Sequence, residues 1–379
     1  MTAAQACRIA QTALHEVRPE AEVQTAPLCD GGEGFCEILT QARGGRLERV
    51  PVRGPRGEAR KAMLGFVKAD AFDKGLLRIM GMERVVGEIA IVEMAQASGL
   101  WGLQEDLRDP WQTSTQGTGE LMLEAARQEA SAILLGIGGS ATNDLGLGAL
   151  EALGLHFIDA QGDTIEGIRP CHWGRVAGTS GQLLPLPPVM VACDVANPLL
   201  GPRGASAVFG PQKGLRLEDV PQMDQAMERM ARILCKEFGR EDELLSEASG
   251  GAAGGLGWGL RAAYGAHYLP GFELVWQWMD FEQKLASADL VIVGEGRFDQ
   301  GSLEGKGPGA LARMAVERGK QVLIMAGKIE SGIEELIPNA AGKLNCVSIS
   351  PPDLPLPRAL AEGPQRLDLE LRRMISDIM

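Results

Sequence analysis

The chain has 379 residues, enough for two domains with sizeable cores. Its net charge of −13, with no basic tract to offset it, sets a repulsive field against nucleic acid and anionic membranes. Hydrophobic residues at 45% against 23% charged fit a globular chain, and no apolar run is long enough to span a bilayer or mark secretion, so the cytoplasm is the expected location. The seven cysteines are odd in number and contain no C-x-x-C, which suggests small thiols in a reducing compartment. The four histidines show no spacing that suits a transition metal.

In chain order, Thr2-Ala3-Ala4-Gln5 is a capping box, and Ala6, Ile9, Ala10, Ala13, Leu14 and Val17 follow at helical spacing. A strand is expected over Ala21 to Leu28, then the loop Asp30-Gly31-Gly32-Glu33-Gly34 and a helix from Phe35 to Ala42. Residues 46 to 70 alternate like strands around a Gly54-Pro55-Arg56-Gly57 turn. Gly87 to Glu93 reads as a short strand, Gly117 to Gln128 as a helix, and Ile133 to Leu135 as a buried strand. That strand runs into Gly136-Ile137-Gly138-Gly139-Ser140 and a helical pattern from Leu147 to Leu153. Backbone N–H groups and a helix dipole at such a turn suit a phosphate, although a tight packing turn explains the glycines about as well. Neither the P-loop pattern nor G-x-G-x-x-G matches: no Lys follows Gly139, and Ala141 stands where the last Gly belongs.

Further on, an apolar run ends at Cys193 and Asp194-Val195-Ala196-Asn197, and residues 218 to 239 form an amphipathic helix. Gly250 to Gly259 reads as a flexible loop. Strands are expected at Ala288 to Val293, Gln321 to Met325 and Asn345 to Ser350, the first stopping at Gly294-Glu295-Gly296-Arg297-Phe298-Asp299. Residues 351–357 are expected as a surface loop, and a last helix from about Gln365. Alternating strands and helices predict an α/β protein with parallel sheets, whose ligands bind beyond the carboxyl ends of the strands. Those ends carry Asp30, Asp144, Asp194, Glu295 and Asp299 among glycines, which points to Mg²⁺ and phosphate chemistry.

Seven segments in order then resemble one family. They are CDGGEGF at 29–35, VEMAQASGL at 92–100, TSTQGTGELM at 113–122, GIGGSATNDLGLGALEALG at 136–154, CDVANPLLGPRGASAVFGPQKG at 193–214, GGAAGGLG at 250–257 and ADLVIVGEGRFDQGSLEGKGP at 288–308. Together they resemble the class I glycerate kinases, the bacterial type that phosphorylates glycerate from ATP. The resemblance implies two domains: a Rossmann-like parallel-sheet domain built from both chain ends (1–45 plus 286–379) and a second α/β domain inserted between them (46–285), with the site in the cleft. It implies D-glycerate and ATP as substrates, Mg²⁺ as cofactor and 2-phosphoglycerate as product. Members of the family open with a short apolar strand and an Asp-x-Phe-Lys-Gly/Asp loop, whereas this sequence starts at Met1-Thr2-Ala3-Ala4, in a helix. A start site assigned too late is the expected cause, with a truncated member as the alternative.

Phosphoryl transfer needs positioning, charge neutralisation and a base for the attacking hydroxyl. Lys306, in the Glu-Gly-Lys-Gly-Pro motif, is the first candidate for the phosphate cation and Lys213 the second. Asp194 is the candidate base or Mg²⁺ ligand, or else caps its turn. Asp299 is a second catalytic and Mg²⁺ candidate; beside it Glu295 and Arg297 are placed at the substrate, Arg297 either clamping a carboxylate or pairing with Glu295. Asp30, Gly31, Gly32 and Glu33 hold substrate hydroxyls or metal, or form an Asx turn. Gly138, Gly139, Ser140, Thr142, Asn143, Asp144 and Asn197 complete the expected lining. His156, His172, Trp258, Trp276 and Trp278 read as structural. A kinase of a related hydroxy acid (tartronate or erythronate) is an alternative, as is a truncated, non-catalytic nucleotide- or glycerate-binding member. A nicotinamide oxidoreductase is the weakest reading. A homodimer is one assembly the sequence leaves open.

Overall fold

The computed structural model describes residues 1–29, 31–304 and 307–378. The chain divides into two compact units, residues 30–274 and residues 1–29 with 275–379. The sequence suggests divisions at 45/46 and 285/286 instead; the Phe35–Ala42 helix packs on the second and third strands of the inner unit, and so goes with it.

In the inner unit the strands are β1 (Arg46–Arg53), β2 (Ala59–Lys68), β3 (Glu88–Glu93), β4 (Ala132–Gly136), β5 (Leu155–Ile158), β6 (Thr164–Ile165), β7 (Gly178–Gly181), β8 (Val189–Ala192) and β9 (His267–Leu269). Six of them form a sheet in the order β1-β2-β3-β4-β8-β9, while β6-β5-β7 make a small antiparallel sheet. The large sheet is mixed. β1, β2 and β3 pair antiparallel; β3, β4, β8 and β9 pair parallel. The β1–β2 hairpin closes at the expected turn, where Gly57 N–H donates to Gly54 O at 2.9 Å. Every residue of β4 is buried, which is why its sequence is a continuous apolar run and not an alternation. Leu121, Met122, Leu150 and Met227, all fully buried, belong to the core that covers it.

The outer unit holds a parallel sheet of β10 (Leu290–Phe298), β11 (Gln321–Ile329) and β12 (Leu344–Ser348). The two faces of β11 are read off its alternation. Val322, Ile324 and Ala326 enter a core with Ala312, Ala315 and Val316 of the Pro308–Glu317 helix. Leu323 and Met325 enter another with Ala13 and Leu14 of the Ala3–Val17 helix and Leu367, Leu371 and Ile375 of the Leu356–Ile378 helix. The first and last helices of the chain therefore pack against each other. Thr2 and Gln5 form the expected capping box, the Gln5 N–H reaching Thr2 Oγ1 at 3.2 Å.

Four expectations change. Ala21 to Leu28 is not a strand: Pro27 has no N–H to give, and no ladder partner stands beside the segment among the described residues. The 250–259 stretch is not a flexible loop. It is buried, turns through left-handed Ala253, Gly254 and Gly255, and starts the Leu256–Tyr264 helix. A Cβ on Gly254 would stand 2.2 Å from Thr142 O, so backbone contact explains that glycine. β10 runs on to Phe298, five residues past the expected end, because its partner β11 continues alongside to Ile329. The last helix starts at Leu356, not near Gln365, with Pro364 inside it. Among the described residues no helix is long and apolar enough to cross a membrane.

The last helix offers a paired test. Leu371 is fully buried, whereas Leu369 is 65% exposed. Leu371→Ala should cost about 2–5 kcal/mol in urea unfolding and Leu369→Ala less than about 0.5 kcal/mol.

Candidate active site

The parallel strands of the inner unit end together. β3 stops at Glu93, β4 at Gly136, β8 at Ala192 just before Asp194, and β9 at Leu269. Glu93 is 1% exposed and accepts the N–H groups of Gly34 (3.2 Å) and Cys36 (3.1 Å) together with the Gln96 amide (3.1 Å). Burial pushes its carboxyl up, and these donors pull it down. The carboxylate thereby pins the 31–34 loop and the start of the Phe35–Ala42 helix to β3. Gly138 N–H donates to Gly31 O at 2.8 Å, and a Cβ on Gly138 would lie 2.7 Å from Gly32 Cα. So Gly31, Gly32 and Gly138 are brought together by backbone approach. Glu33 and Gly139 are exposed at this edge and Ser140 is buried. Asp30 lies outside the described residues.

The turn from β4 to the Leu147–Ala152 helix is built around Asp144, which has no exposed surface. Its carboxylate accepts Thr115 N–H (2.7 Å), Thr115 Oγ1–H (2.8 Å), Gly146 N–H (3.2 Å) and Gly148 N–H (3.3 Å). Thr115 Oγ1 in turn accepts Ala149 N–H at 3.0 Å. The helix N-terminus expected to receive a phosphate thus receives a side chain of the chain itself. Asp144 faces inward and does not line an open surface, which corrects its expected place. Burial raises its carboxyl, and the four donors favour the anion.

Lys213 meets the same network. It is 1% exposed, and its Nζ donates to Thr142 O at 2.7 Å. Burial lowers its ammonium to about 7, with the charge of Asp144 working against that fall. Lys213 therefore ties an internal turn and does not present a cation to an outside phosphate. Asn143 Nδ2 donates to Ser206 Oγ at 3.0 Å, and Leu145 N–H to Gly254 O at 2.9 Å. The side-chain oxygens of Thr142 and Asn143 are buried and carry no hydrogen bond among the described residues. Thr115, Glu93 and Ser206 were missed as site residues. Thr115 and Ser206 stand in motif segments without a charge to mark them, and Glu93 reads as the end of an apolar strand.

Asp194 is half-buried, and its Oδ2 accepts Phe272 N–H at 2.8 Å, near the start of the Gly271–Trp278 helix. It links the ends of β8 and β9. Asn197 donates through Nδ2 to Arg203 O at 2.8 Å, and its carbonyl accepts Gly251 N–H at 2.9 Å. In the outer unit, Glu295 and Arg297 stand on β10 opposite Ala326 and Lys328, and not in a loop after it. Arg297 pairs with Asp299 at 3.0 Å, and not with Glu295. Asp299 Oδ1 also accepts Ser302 N–H at 3.3 Å. Lys306 lies outside the described residues. Trp258 and Trp278 are fully buried, and Trp276 stacks on Phe281 with centroids 5.2 Å apart, so the tryptophans are structural as read. Among the described residues no three His, Cys, Asp or Glu side chains form a ready metal cage.

The buried pair makes two predictions. Below about pH 7, where the Lys213 ammonium is charged, Asp144→Asn and Lys213→Met should each cost about 3–5 kcal/mol in urea unfolding, and the double variant less than their sum, since each single change strands a charge. The lysine also sets a pH dependence. Its folded value of about 7 lies below the ordinary 10.5, so the unfolded chain binds more protons across that window. Wild type should gain stability over Lys213→Met as pH rises from about 7, by up to about 1.4 kcal/mol per pH unit. A flat difference would place the ammonium outside the pair.

The glycerate kinase family profile matches residues 1–379. A glycerate kinase of Halalkalibacterium halodurans is 35% identical over 99% of this chain and 94% of its own length. The glycerate 2-kinase of Escherichia coli is 34% identical over 88% of this chain and 83% of its own. A crystal structure from Salmonella typhimurium, provisionally named glycerate kinase 2, is 35% identical, superposes with a TM-score of 0.74 and covers 100% of this chain and 94% of its own. With a family match along its whole length and an α/β fold shared with that structure, the chain belongs to the glycerate kinase family.

Proposed function

We propose that this kinase transfers the terminal phosphate of ATP to the hydroxyl at position 2 of D-glycerate, giving ADP and 2-phosphoglycerate, with Mg²⁺. The observation that carries the reading is the full-length family match joined to a carboxylate, Asp194, held at the common end of the parallel strands. In this reading Asp194 takes the proton of the attacking hydroxyl as its oxygen bonds to phosphorus and the bond to ADP breaks. The Phe272 N–H on Oδ2 keeps that carboxylate oriented. Exposed Gly139, with φ of +70°, offers backbone close to the substrates without a Cβ in the way. Glu93 acts one step back, holding the 31–34 loop against Gly138.

Mg²⁺ fits this site without a cage, because it usually takes one or two protein carboxylates and completes its shell with phosphate oxygens and water. Asp194 would hold it in the alternative in which it is the metal ligand and not the base. When bound, the ion neutralises charge on the transferring phosphate. Lys306 is assigned the phosphate cation on its motif, and Asp299 with Arg297 a supporting role in the outer unit.

The test mixes the chain with Mg-ATP and D-glycerate, measures ADP and identifies the product by NMR. 2-Phosphoglycerate is expected. The 3-phosphate would overturn the regiochemistry, and turnover with tartronate or erythronate alone would transfer the activity to a related acid. Asp194→Asn should lower kcat by about 10²–10⁴-fold while KM for glycerate stays within a few-fold. A loss confined to KM would make Asp194 a positioning residue.

A further inference from the structure

The turn that closes the β1–β2 hairpin gathers arginines that no carboxylate answers. Arg56 stands in the turn and donates through Nη1 to Leu107 O at 3.2 Å. Arg169, just before the short Pro170–Arg175 helix, donates through Nη2 to Arg56 O at 3.2 Å. Cys171 N–H donates to Trp111 O at 2.9 Å, so the 107–111 and 169–171 segments lie side by side against the turn. Both guanidinium groups are thus held by neutral carbonyls, which fix their positions and leave their charge in place. Both side chains are half-buried.

Elsewhere arginines of this chain meet carboxylates: Arg46 pairs with Glu88 at 2.8 Å, Arg261 with Glu247 at 2.6 Å and Arg318 with Glu282 at 2.9 Å. Among the described residues Arg56 and Arg169 form no ion pair, and Arg169 Nε is buried without an acceptor. A buried donor left unmet costs free energy until an acceptor reaches it. The acids nearby have other partners. Glu58 takes Arg56 N–H and pairs with Arg60, each at 3.0 Å; Asp109 takes Trp111 N–H at 2.9 Å; Asp159 pairs with Arg175 at 3.7 Å. Two side chains feel the excess. Burial raises the Cys171 thiol, while Arg169 and Arg56 pull it down against Asp109. Burial lowers the His172 imidazolium, and the charges of Arg169 and Arg175 lower it further. In a chain of net charge −13 this is a local reversal of sign.

We propose that Arg56 and Arg169, with Arg175 beside them, form a second anion site that takes a compact dianion of the phosphate type, free or carried on a small acid. The planar guanidinium fork matches phosphate oxygens two at a time, and two unanswered forks suit a doubly charged ligand. The site stands apart from the strand ends at Asp194. β1 and β8 are four places apart in the sheet, about 19 Å at roughly 4.8 Å per strand. It still has a route inward. Ser114 N–H donates to Pro55 O at 2.9 Å, and the next residue, Thr115, holds the Asp144 carboxylate. An anion that fixes the hairpin turn therefore also steadies the segment on which Asp144 depends. The assignment does not rest on the kinase reading.

His172 reports on the site without turnover. The titrations of His15, His156, His172 and His267 are followed by NMR on the whole chain, in inorganic phosphate and in sodium chloride of equal ionic strength, which cancels screening. In phosphate the His172 midpoint should rise by about half a pH unit or more, because a bound anion offsets the arginine charges, while the other three hold. Phosphate added stepwise at fixed pH, read at the His172 resonance, gives the affinity of this site alone. Arg56→Met and Arg169→Met, with folding checked by circular dichroism, should each weaken it by about tenfold or more. Arg56 lies on a turn, so its variant decides alone should Arg169→Met fail to fold. No rise at His172, a rise confined to the other histidines, or a folded Arg56→Met that binds phosphate as wild type does would overturn the site. Phosphoglycolate separates the two sources. Binding at His172 about tenfold tighter than phosphate, and weakened in Arg56→Met, gives the site to a phosphorylated acid; binding no tighter gives it to phosphate itself.

Discussion

The carboxylate of Asp144 is the constraint on which the carboxyl edge of the inner sheet depends. A buried anion is costly unless donors surround it, and here four hydrogen bonds reach it from Thr115, Gly146 and Gly148. These donors come from two helix starts, so one side chain sets the entry of both the Gln116–Arg127 and Leu147–Ala152 helices. Lys213, whose ammonium burial lowers to about 7, ties its own segment to Thr142. Three loops separated in sequence therefore meet around one buried carboxylate.

Much of the fold was legible. The Phe35–Ala42 helix, the hairpin around Gly54 to Gly57, β3, β4 and the Leu147 helix follow from alternation, periodicity and turn residues, all of which are local signals. The misreadings have one character. Residues 21–28 alternate like a strand, but pairing is a property of neighbours and no local pattern reveals it. The 250–259 glycines read as flexible, yet they are closely packed, and Gly254 meets Thr142 across more than a hundred residues of chain. β10 and β11 extend each other beyond their apolar runs because hydrogen bonding, not hydropathy, decides where a ladder stops.

The site was legible as a neighbourhood and less so as a set of roles. Motif segments gather at the carboxyl ends of the inner unit's parallel strands, and Asp194 stands where they end. Charge in a motif does not say which way a side chain faces. Asp144 and Lys213 read as ligands of phosphate, but both are buried: Asp144 gathers the N–H groups of two helix starts, and Lys213 reaches Thr142 O in the turn that carries Asp144. Conversely, uncharged Thr115 bridges two helix starts, a role visible only when its hydroxyl is seen giving one hydrogen bond and taking another.

The outer unit has a consequence in time. Its second core needs Leu14 from the first helix and Leu371 from the last, with the whole inner unit translated between them. On the ribosome the inner unit can complete its sheet as it emerges, since all its strands are contiguous in the chain. The Ala3–Val17 helix keeps its apolar stripe uncovered until Leu367, Leu371 and Ile375 are made. Apolar surface left open in that interval is open to aggregation.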